Sequence, residues 1–538
     1  MKQNTENSLG IRNFLIPLFI SLIIFGCGSG VKQLGGSSEY SYPINPEHIK
    51  ANLSFLANDA LEGREATTPA ERVAAVYLST ELQKYDVMPF GDDSSTYFQR
   101  VDLKLEKFDP NSSITLLASN NDTLTVFRCD SDFVGSTRFF DDFDSTTKLV
   151  FAGYGITAAE YNYDDYRDLD VKGKIVLFLN GEPVSDDSAF FAGEKRTRYS
   201  SWSRKIERAR ELGAAGVMMP SWSERRLGWQ SAVDYVKKGS LSLLDSDEND
   251  NPARHRLPMV SLRERTLKKL FSYTSYSYSD ISRLAATGGV VPTFQFDLSL
   301  NAHLSFAPPD TLPAWNVIGI VPGNDPALSD EYIVVGAHYD HLGMNESGIY
   351  NGADDNGSGT VGVMEIARAI GFNRNNARSV VFAFHTGEEK GLLGSKFLVK
   401  HFPHLDKIMA HVNFDMIGRG SVDSIYSVGS SRISSELHDL VEKIDDRSVK
   451  LKFNYQFDNP NDPERIYYRS DHYSYAREGI PSVFFYDNMQ EDYHKMTDTV
   501  DKINFRKIAR VVELGYRITL GLANLPHELN RDQLANTQ

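Results

Sequence analysis

Cysteine is nearly absent: Cys27 and Cys129 are the only two in 538 residues. That excludes a disulfide-stapled fold, Cys-rich zinc modules and iron–sulfur clusters, so any metal must be held by His, Asp and Glu. Basic blocks are missing as well. Lys and Arg number 57 against 72 Asp and Glu, a net charge of −15. Without clustered cations to neutralise phosphates, nucleic acid is excluded as the main partner. The one long apolar run, Phe14–Phe25, is too short to span a bilayer comfortably, and no internal repeat is visible. What is present is ordinary for a globular chain, 41% hydrophobic and 24% charged, and fits neither wholesale disorder nor a many-span membrane protein. The length exceeds the roughly 250–300 residues that one core usually serves, so two or three domains are expected.

Lys2 and Arg12 precede the apolar run, which has the length of a signal-peptide core. It ends in Ile24-Phe25-Gly26-Cys27, followed by Gly28-Ser29-Gly30. This resembles a bacterial lipoprotein signal, in which Cys27 becomes the lipidated first residue. The resemblance implies export to the bacterial cell envelope, facing periplasm or surface, and a membrane anchor at Cys27. An ordinary secretion signal with an incidental cysteine is the alternative. Gly28–Tyr42, rich in Gly and Ser, reads as a flexible tether.

Ile49–Tyr85 carries a helical pattern, broken at Leu61-Glu62-Gly63-Arg64 by a turn. Short strands follow at Val101–Leu105, Ser113–Leu117 and Leu124–Arg128. A block of glycine turn, apolar strand, helix and apolar strand then reads as a small α/β module. Its parts are Leu149–Ile156, Val171–Leu179, Trp202–Leu212 and Gly213–Met219. Its wording resembles a protease-associated domain, an insert that accompanies exopeptidases; it would act as a gating surface or as a mere spacer. After Asn316, apolar runs at Val317–Val321, Tyr332–Ala337, Ser379–Phe384, Ile408–Phe414 and Ser482–Tyr486 read as strands. Helical segments Thr360–Phe372, Ser395–His401, Ser434–Ile444 and Lys507–Leu522 separate several of them. Continuous apolar strands covered by helices predict a mixed, largely parallel α/β sheet, whose ligands bind beyond the carboxyl ends of the strands.

Those strand ends carry the polar residues. The first ends in His338-Tyr339-Asp340-His341, where Asp340 can accept the second N–H of the His338 ring and fix its tautomer. Asn351–Gly359, with Asp354 and Asp355 among small residues, leads into the Thr360 helix and reads as a tight carboxylate turn or as a capping loop. Another strand runs into His385-Thr386-Gly387-Glu388-Glu389, whose adjacent glutamates could divide metal binding and proton transfer or form a solvated charge cluster. Asp415 follows Ile408–Phe414 at the mouth of a buried strand and needs a cation or hydrogen bonds. His494 lies in the polar loop Asp492–Thr499.

In order and placement this set resembles the co-catalytic double-zinc exopeptidases, a family that includes secreted leucyl aminopeptidases and glutamate carboxypeptidases. The resemblance covers the Leu56–Gln99 lead-in, the protease-associated insert and a zinc aminopeptidase-like core from Asn316 to about Asp501. It divides the chain into a signal (1–27), a tether (28–45), the N-terminal part of the peptidase domain (46–125), the insert (126–300), the catalytic core (301–526) and a tail (527–538). It implies two Zn2+, with cobalt or manganese as substitutes: His338 and Asp415 hold one, Glu389 and His494 the other, and Asp355 bridges both. Glu388 would be the general base and Asp340 the orienting acid behind His338. Tyr493 stands where some relatives have an oxyanion donor, though aromatic packing explains it equally. The implied substrates are peptides, shortened from the N-terminus. A carboxypeptidase or dipeptidase on the same framework, drawing on Arg419, Arg465 or Arg469 to bind a carboxylate, is an alternative, and a receptor-like binding lipoprotein is another. Ser470-Asp471-His472 reads as a structural or pocket-wall element. Oligomeric state is not encoded in any of this.

Overall fold

The structure is a computed structural model that describes residues 44–533 except 136–141, 194–195, 246–256, 461 and 463. The expected signal segment and nearly all of the tether lie outside the described residues. Two large sheets organise the rest.

The first sheet is built from β1 (Phe98–Glu106), β2 (Ser240–Leu243), β3 (Asp310–Val321), β4 (Tyr332–His338), β5 (Ser379–His385), β6 (Ile408–Phe414), β7 (Ser424–Val428), β8 (Lys452–Asn454) and β9 (Ser482–Tyr486). Their order across the sheet is β2-β1-β3-β5-β4-β6-β9-β7-β8, with the short strand Met88–Pro89 also paired to β3. The centre, β5-β4-β6-β9, is parallel. Antiparallel strands flank it. Every residue of β5, β6 and β9 is buried, as expected for strands covered on both faces.

Helices α1 (Pro46–Leu56), α2 (Pro69–Lys84), α3 (Gly359–Asn373), α4 (Leu393–His401), α5 (Ser435–Arg447) and α6 (Phe505–Ala523) accompany this sheet. The first two start on side-chain caps, Asn45 and Thr68, each followed by proline, a combination that satisfies one orphan N–H and fixes the entering backbone. Gly515 of α6 faces Phe414 so closely that an added Cβ would sit 2.3 Å from its ring. Among the described residues no helix is long and apolar enough to cross a membrane.

The second sheet runs in the order Thr123–Arg128, Ser113–Leu117, Thr293–Leu304, Phe143–Ala152, Ile175–Leu177, Gly216–Pro220, Met259–Leu262 and Phe133–Gly135. Its middle pairings are parallel, and it has its own apolar clusters around Phe151, Phe271 and Val176. The small α/β insert thus extends beyond the expected borders of 126 and 300. Ser113–Leu117 and Thr293–Leu304 pair with each other along five residues, and this long-range pairing draws both flanks into the insert. One piece of the insert goes the other way: β2 lies within it in sequence but pairs with β1 of the first sheet.

Candidate metal centre

Each of the five expected ligands, His338, Asp355, Glu389, Asp415 and His494, arrives on a different segment, and local hydrogen bonds hold several of those segments in place. His338 closes β4, and its carbonyl accepts from Thr360 Oγ1 at 2.7 Å, which ties the strand end to the start of α3. Asp355 sits in the turn Ala353–Ser358, where the main-chain N–H groups of Asp354 and Asp355 donate to the Asp498 carboxylate. Its neighbour Asn356 donates through Nδ2 to the Phe414 carbonyl at 2.9 Å and accepts from the Met416 N–H at 3.2 Å. Because Asn356 binds the residues on either side of Asp415, the carboxylates of Asp355 and Asp415 are brought side by side.

The resulting distances form two groups that share one carboxylate. His338 Nε2 lies 3.4 Å from Asp415 Oδ1 and 3.5 Å from Asp355 Oδ1. His494 Nε2 lies 3.2 Å from Asp355 Oδ2 and 3.1 Å from Glu389 Oε2. The two oxygens of Asp355 therefore face different histidines. Asp354 does not compete for this place: its Oδ1 accepts from the Gly418 N–H at 2.8 Å. Glu388 Oε2 is 3.9 Å from His338 Nε2, at the margin of the first group. Asp340 stands behind His338, but the ring Nδ1 bonds the Asp340 main-chain carbonyl at 3.2 Å and not the expected carboxylate. Oδ1 of that carboxylate lies 3.7 Å away and accepts instead from the Glu388 N–H at 3.1 Å. The Tyr493 ring stacks on His494 with centroids 3.8 Å apart, and its hydroxyl accepts from Arg469 Nη2 at 3.2 Å.

Burial makes this charge cluster consequential. His338 Nε2 and Asp415 Oδ1 are buried without a hydrogen bond, an expensive condition unless another partner binds them. Burial pushes the Glu388 carboxyl well above its usual range, and Glu389 and Asp415 push it further against the opposing pull of His338. For His494, burial favours the neutral ring, yet the carboxylates of Glu389 and Asp355 outweigh it and raise its pKa to about 11. His338 behaves likewise: burial is overcome by Glu388, Asp415 and Asp340, and the ring is held well above its ordinary value. The site thus draws positive charge to the points where the ligand atoms converge. Oxygen and imidazole donors without thiolate suit a catalytic divalent ion, and the residues present fit that group.

His341 was not anticipated as part of the site. It is fully buried, with Nδ1 2.8 Å from Glu389 Oε1 and 4.0 Å from Asp355 Oδ2. Ligand atoms of His341, Asp355 and Glu389 fall within 4.8 Å of one another, as do those of His338, Glu388 and Asp415. His341 lies closer to Glu389 than His494 does, but His494 alone approaches both carboxylates of the second group within 3.2 Å, which leaves His341 as a support for Glu389. Its signal was the second histidine of His338-Tyr339-Asp340-His341. Arg419 pairs with Asp492 at 2.7 Å and the Arg465 guanidinium lies over the Tyr468 ring; of the three arginines only Arg469 lines the cleft. Ser470 is a buried tie: it accepts from Asn413 Nδ2 at 2.8 Å and donates to Asp415 Oδ2 at 2.8 Å.

Comparison with known proteins places these residues in context. Residues 316–518 match the model of Peptidase family M28. A probable leucine aminopeptidase of Arthroderma otae is 32% identical over 223 residues, which are 39% of this chain and 58% of that protein. Leucine aminopeptidase 2 of Trichophyton rubrum is 30% identical over 247 residues, 40% of this chain and 45% of that one. The chain thus spans about half the length of these curated relatives. In fold it is similar to the aminopeptidase from Aneurinibacillus sp. strain AM-1, with a TM-score of 0.54 and 19% identity over 91% of this chain and 96% of that one. It is likewise similar to a zinc aminopeptidase from Bacillus subtilis, with a TM-score of 0.52 and 19% identity over 89% and 95%.

If Ser470 aims Asp415, Ser470→Ala should lower divalent-metal affinity by about 10–100-fold while the protein stays folded. Competition with a chromophoric chelator measures this, and an unchanged affinity would show that Asp415 keeps its place without the serine.

Proposed function

We propose, from the match of residues 316–518 to the model of Peptidase family M28, that the chain is a zinc-dependent exopeptidase that removes N-terminal residues from peptides. The observation that carries this reading is Asp355, with one oxygen toward His338 and the other toward His494. His338, Asp355 and Asp415 would hold one cation and Asp355, Glu389 and His494 the other. When bound, such ions supply Lewis acidity, polarising the scissile carbonyl and making water acidic enough to attack near neutral pH.

The chain's own groups supply the rest. Glu388, with its raised pKa and its place beside His338, takes the proton of the attacking water and returns it to the leaving amine. Asp340 bonds the His338 ring through its main-chain carbonyl and the Glu388 N–H through Oδ1, so the base and the ligand keep a fixed relation. Because Arg469 donates to the Tyr493 oxygen, the phenolic hydrogen stays available for the oxyanion that develops on the substrate. Met416, Ile466 and Phe484 line the cleft beside these groups and suit an apolar N-terminal side chain such as leucine, while the carboxylates suit a free ammonium. Arg469, which also lines the cleft, is the residue on which a carboxypeptidase reading would depend.

The insert belongs to the proposal as a protease-associated domain bounding the entrance. Its Lys238 Nζ donates to Glu65 Oε2 at 2.9 Å and to the Met344 carbonyl at 3.3 Å, and Glu65 in turn binds Lys390, next to Glu389. Export rests on Lys2, Arg12 and the apolar run Phe14–Phe25, and a lipid anchor at Cys27 on the Ile24–Gly30 pattern. Labelled fatty acid should enter the wild-type protein but not Cys27→Ala, and equal labelling of both would remove the anchor.

Peptides blocked at neither end, at one or at the other, followed by mass spectrometry with and without chelator, test the activity. Chelator-sensitive shortening from free N-termini is expected; shortening from free C-termini would replace this reading by the carboxypeptidase. Peptides of increasing length read the insert's part, since a KM indifferent to length would remove its gating role. Glu388→Gln should keep its metal and lose about 10²–10⁴-fold in turnover. Wild-type turnover in that variant would take Glu388 out of the mechanism.

A further inference from the structure

The turn Leu61-Glu62-Gly63-Arg64 has no place in the reaction described above, yet its last residue lies in the middle of the site's supports. Gly63 and Arg64 both have left-handed backbone, with φ of 71° and 50°. An added Cβ on Gly63 would lie 2.4 Å from the carbonyl oxygens of both Gly343 and Tyr350, so only glycine lets the turn press this close to the hairpin beyond His341. This close approach delivers the Arg64 side chain inward, where it is 1% exposed.

Its hydrogen bonds go to main-chain carbonyls. Nε donates to Tyr339 O at 2.8 Å, Nη1 to Leu56 O at 2.5 Å and Asn351 O at 2.7 Å, and Nη2 to Gly352 O at 3.0 Å. The Arg64 carbonyl accepts the His341 N–H at 3.2 Å. Tyr339 lies between His338 and Asp340, and Gly352 lies three residues before Asp355. One planar, rigid fork thus joins the segment carrying a terminal ligand to the segment carrying the shared one, and anchors both to the end of α1. The guanidinium touches no carboxylate; Asp340, Asp498, Asp355 and Glu389 oppose its burial penalty only from a distance, so its direct bonds serve geometry. Lysine could not replace it, since an ammonium has three donors and no fork.

We propose that Arg64 is a positioning residue that sets the relation between His338 and Asp355 before metal binds. The inference rests on the two-cation reading of the site. It requires that the ligand loops hold their shape in the metal-free chain, and that loss of the fork weaken both cation positions, because Asp355 belongs to both.

Zinc affinities of the full chain, measured by chelator competition, test this in wild type, Arg64→Lys and Leu78→Ala. Leu78→Ala is a control that empties a buried position of α2 and should lower Tm with both affinities intact. Arg64→Lys keeps the charge, and we expect both affinities to fall about 10–100-fold, with excess zinc restoring kcat. Affinities within twofold of wild type in Arg64→Lys would overturn the proposal. Failure of the wild type to bind two zinc ions would instead overturn the underlying reading, and this inference with it. If Arg64→Lys does not fold, hydrogen exchange of the metal-free wild type decides. Protection at the His341 amide and across residues 351–356 is expected without zinc, and exchange at unstructured rates until zinc is added would refute preorganisation.

Discussion

Asp340, Asp355, Glu388, Glu389 and Asp415 crowd the carboxyl ends of three parallel strands, and the aspartates are buried there to within a few per cent. Two unit charges 4 Å apart repel by about 1 kcal/mol in bulk water and about 4 kcal/mol at an effective dielectric of 20. A cluster of this density holds only if positive charge is supplied to it or a carboxyl keeps its proton, as the upward shift of Glu388 favours. His338 and His494 answer that need in part, which is why the carboxylates raise both rings above their ordinary values. Divalent cations at the same convergence points would answer it fully.

Other features of the core follow from keeping that cluster in register. The parallel pairing of β4 with β5 sets His338 opposite His385, three residues before Glu388. Asn356 fastens the Asp355 turn to the ends of the residues flanking Asp415, and Asp498 receives two main-chain N–H groups of that turn. Each tie is a neutral or charge-assisted hydrogen bond in a buried setting, where an unmade bond costs more than a made one gains. Such a site is preorganised by its surroundings and not by the ligands alone.

Much of this was legible in the sequence, and the reason is periodicity. Buried parallel strands read as unbroken apolar runs, so Ile408–Phe414 and Ser482–Tyr486 were found to the residue, and the polar residues just beyond them marked the site. What stayed hidden depends on contacts between distant segments, which no local pattern encodes. Ser470 looked like part of a wall, because its bond to Asp415 spans 55 positions. His341 stands in plain view as the second histidine of its segment, but its role depends on a contact with Glu389, 48 positions away, that the segment does not show. Arg64 read as a turn residue, since three of its four carbonyl partners lie 275 to 288 positions away. The insert's borders slipped for the same reason: the strand Thr293–Leu304 pairs with residues nearly two hundred positions earlier.

The central claim is that Asp355 is shared between two cations. Diffraction from zinc-loaded crystals, recorded on either side of the zinc absorption edge, tests it without reference to any substrate. The account predicts two anomalous peaks flanking Asp355, each about 2.0–2.2 Å from one of its oxygens. The partners would be His338 and Asp415 on one side and Glu389 and His494 on the other. A single peak, or a pair of peaks neither of which touches Asp355, would contradict it.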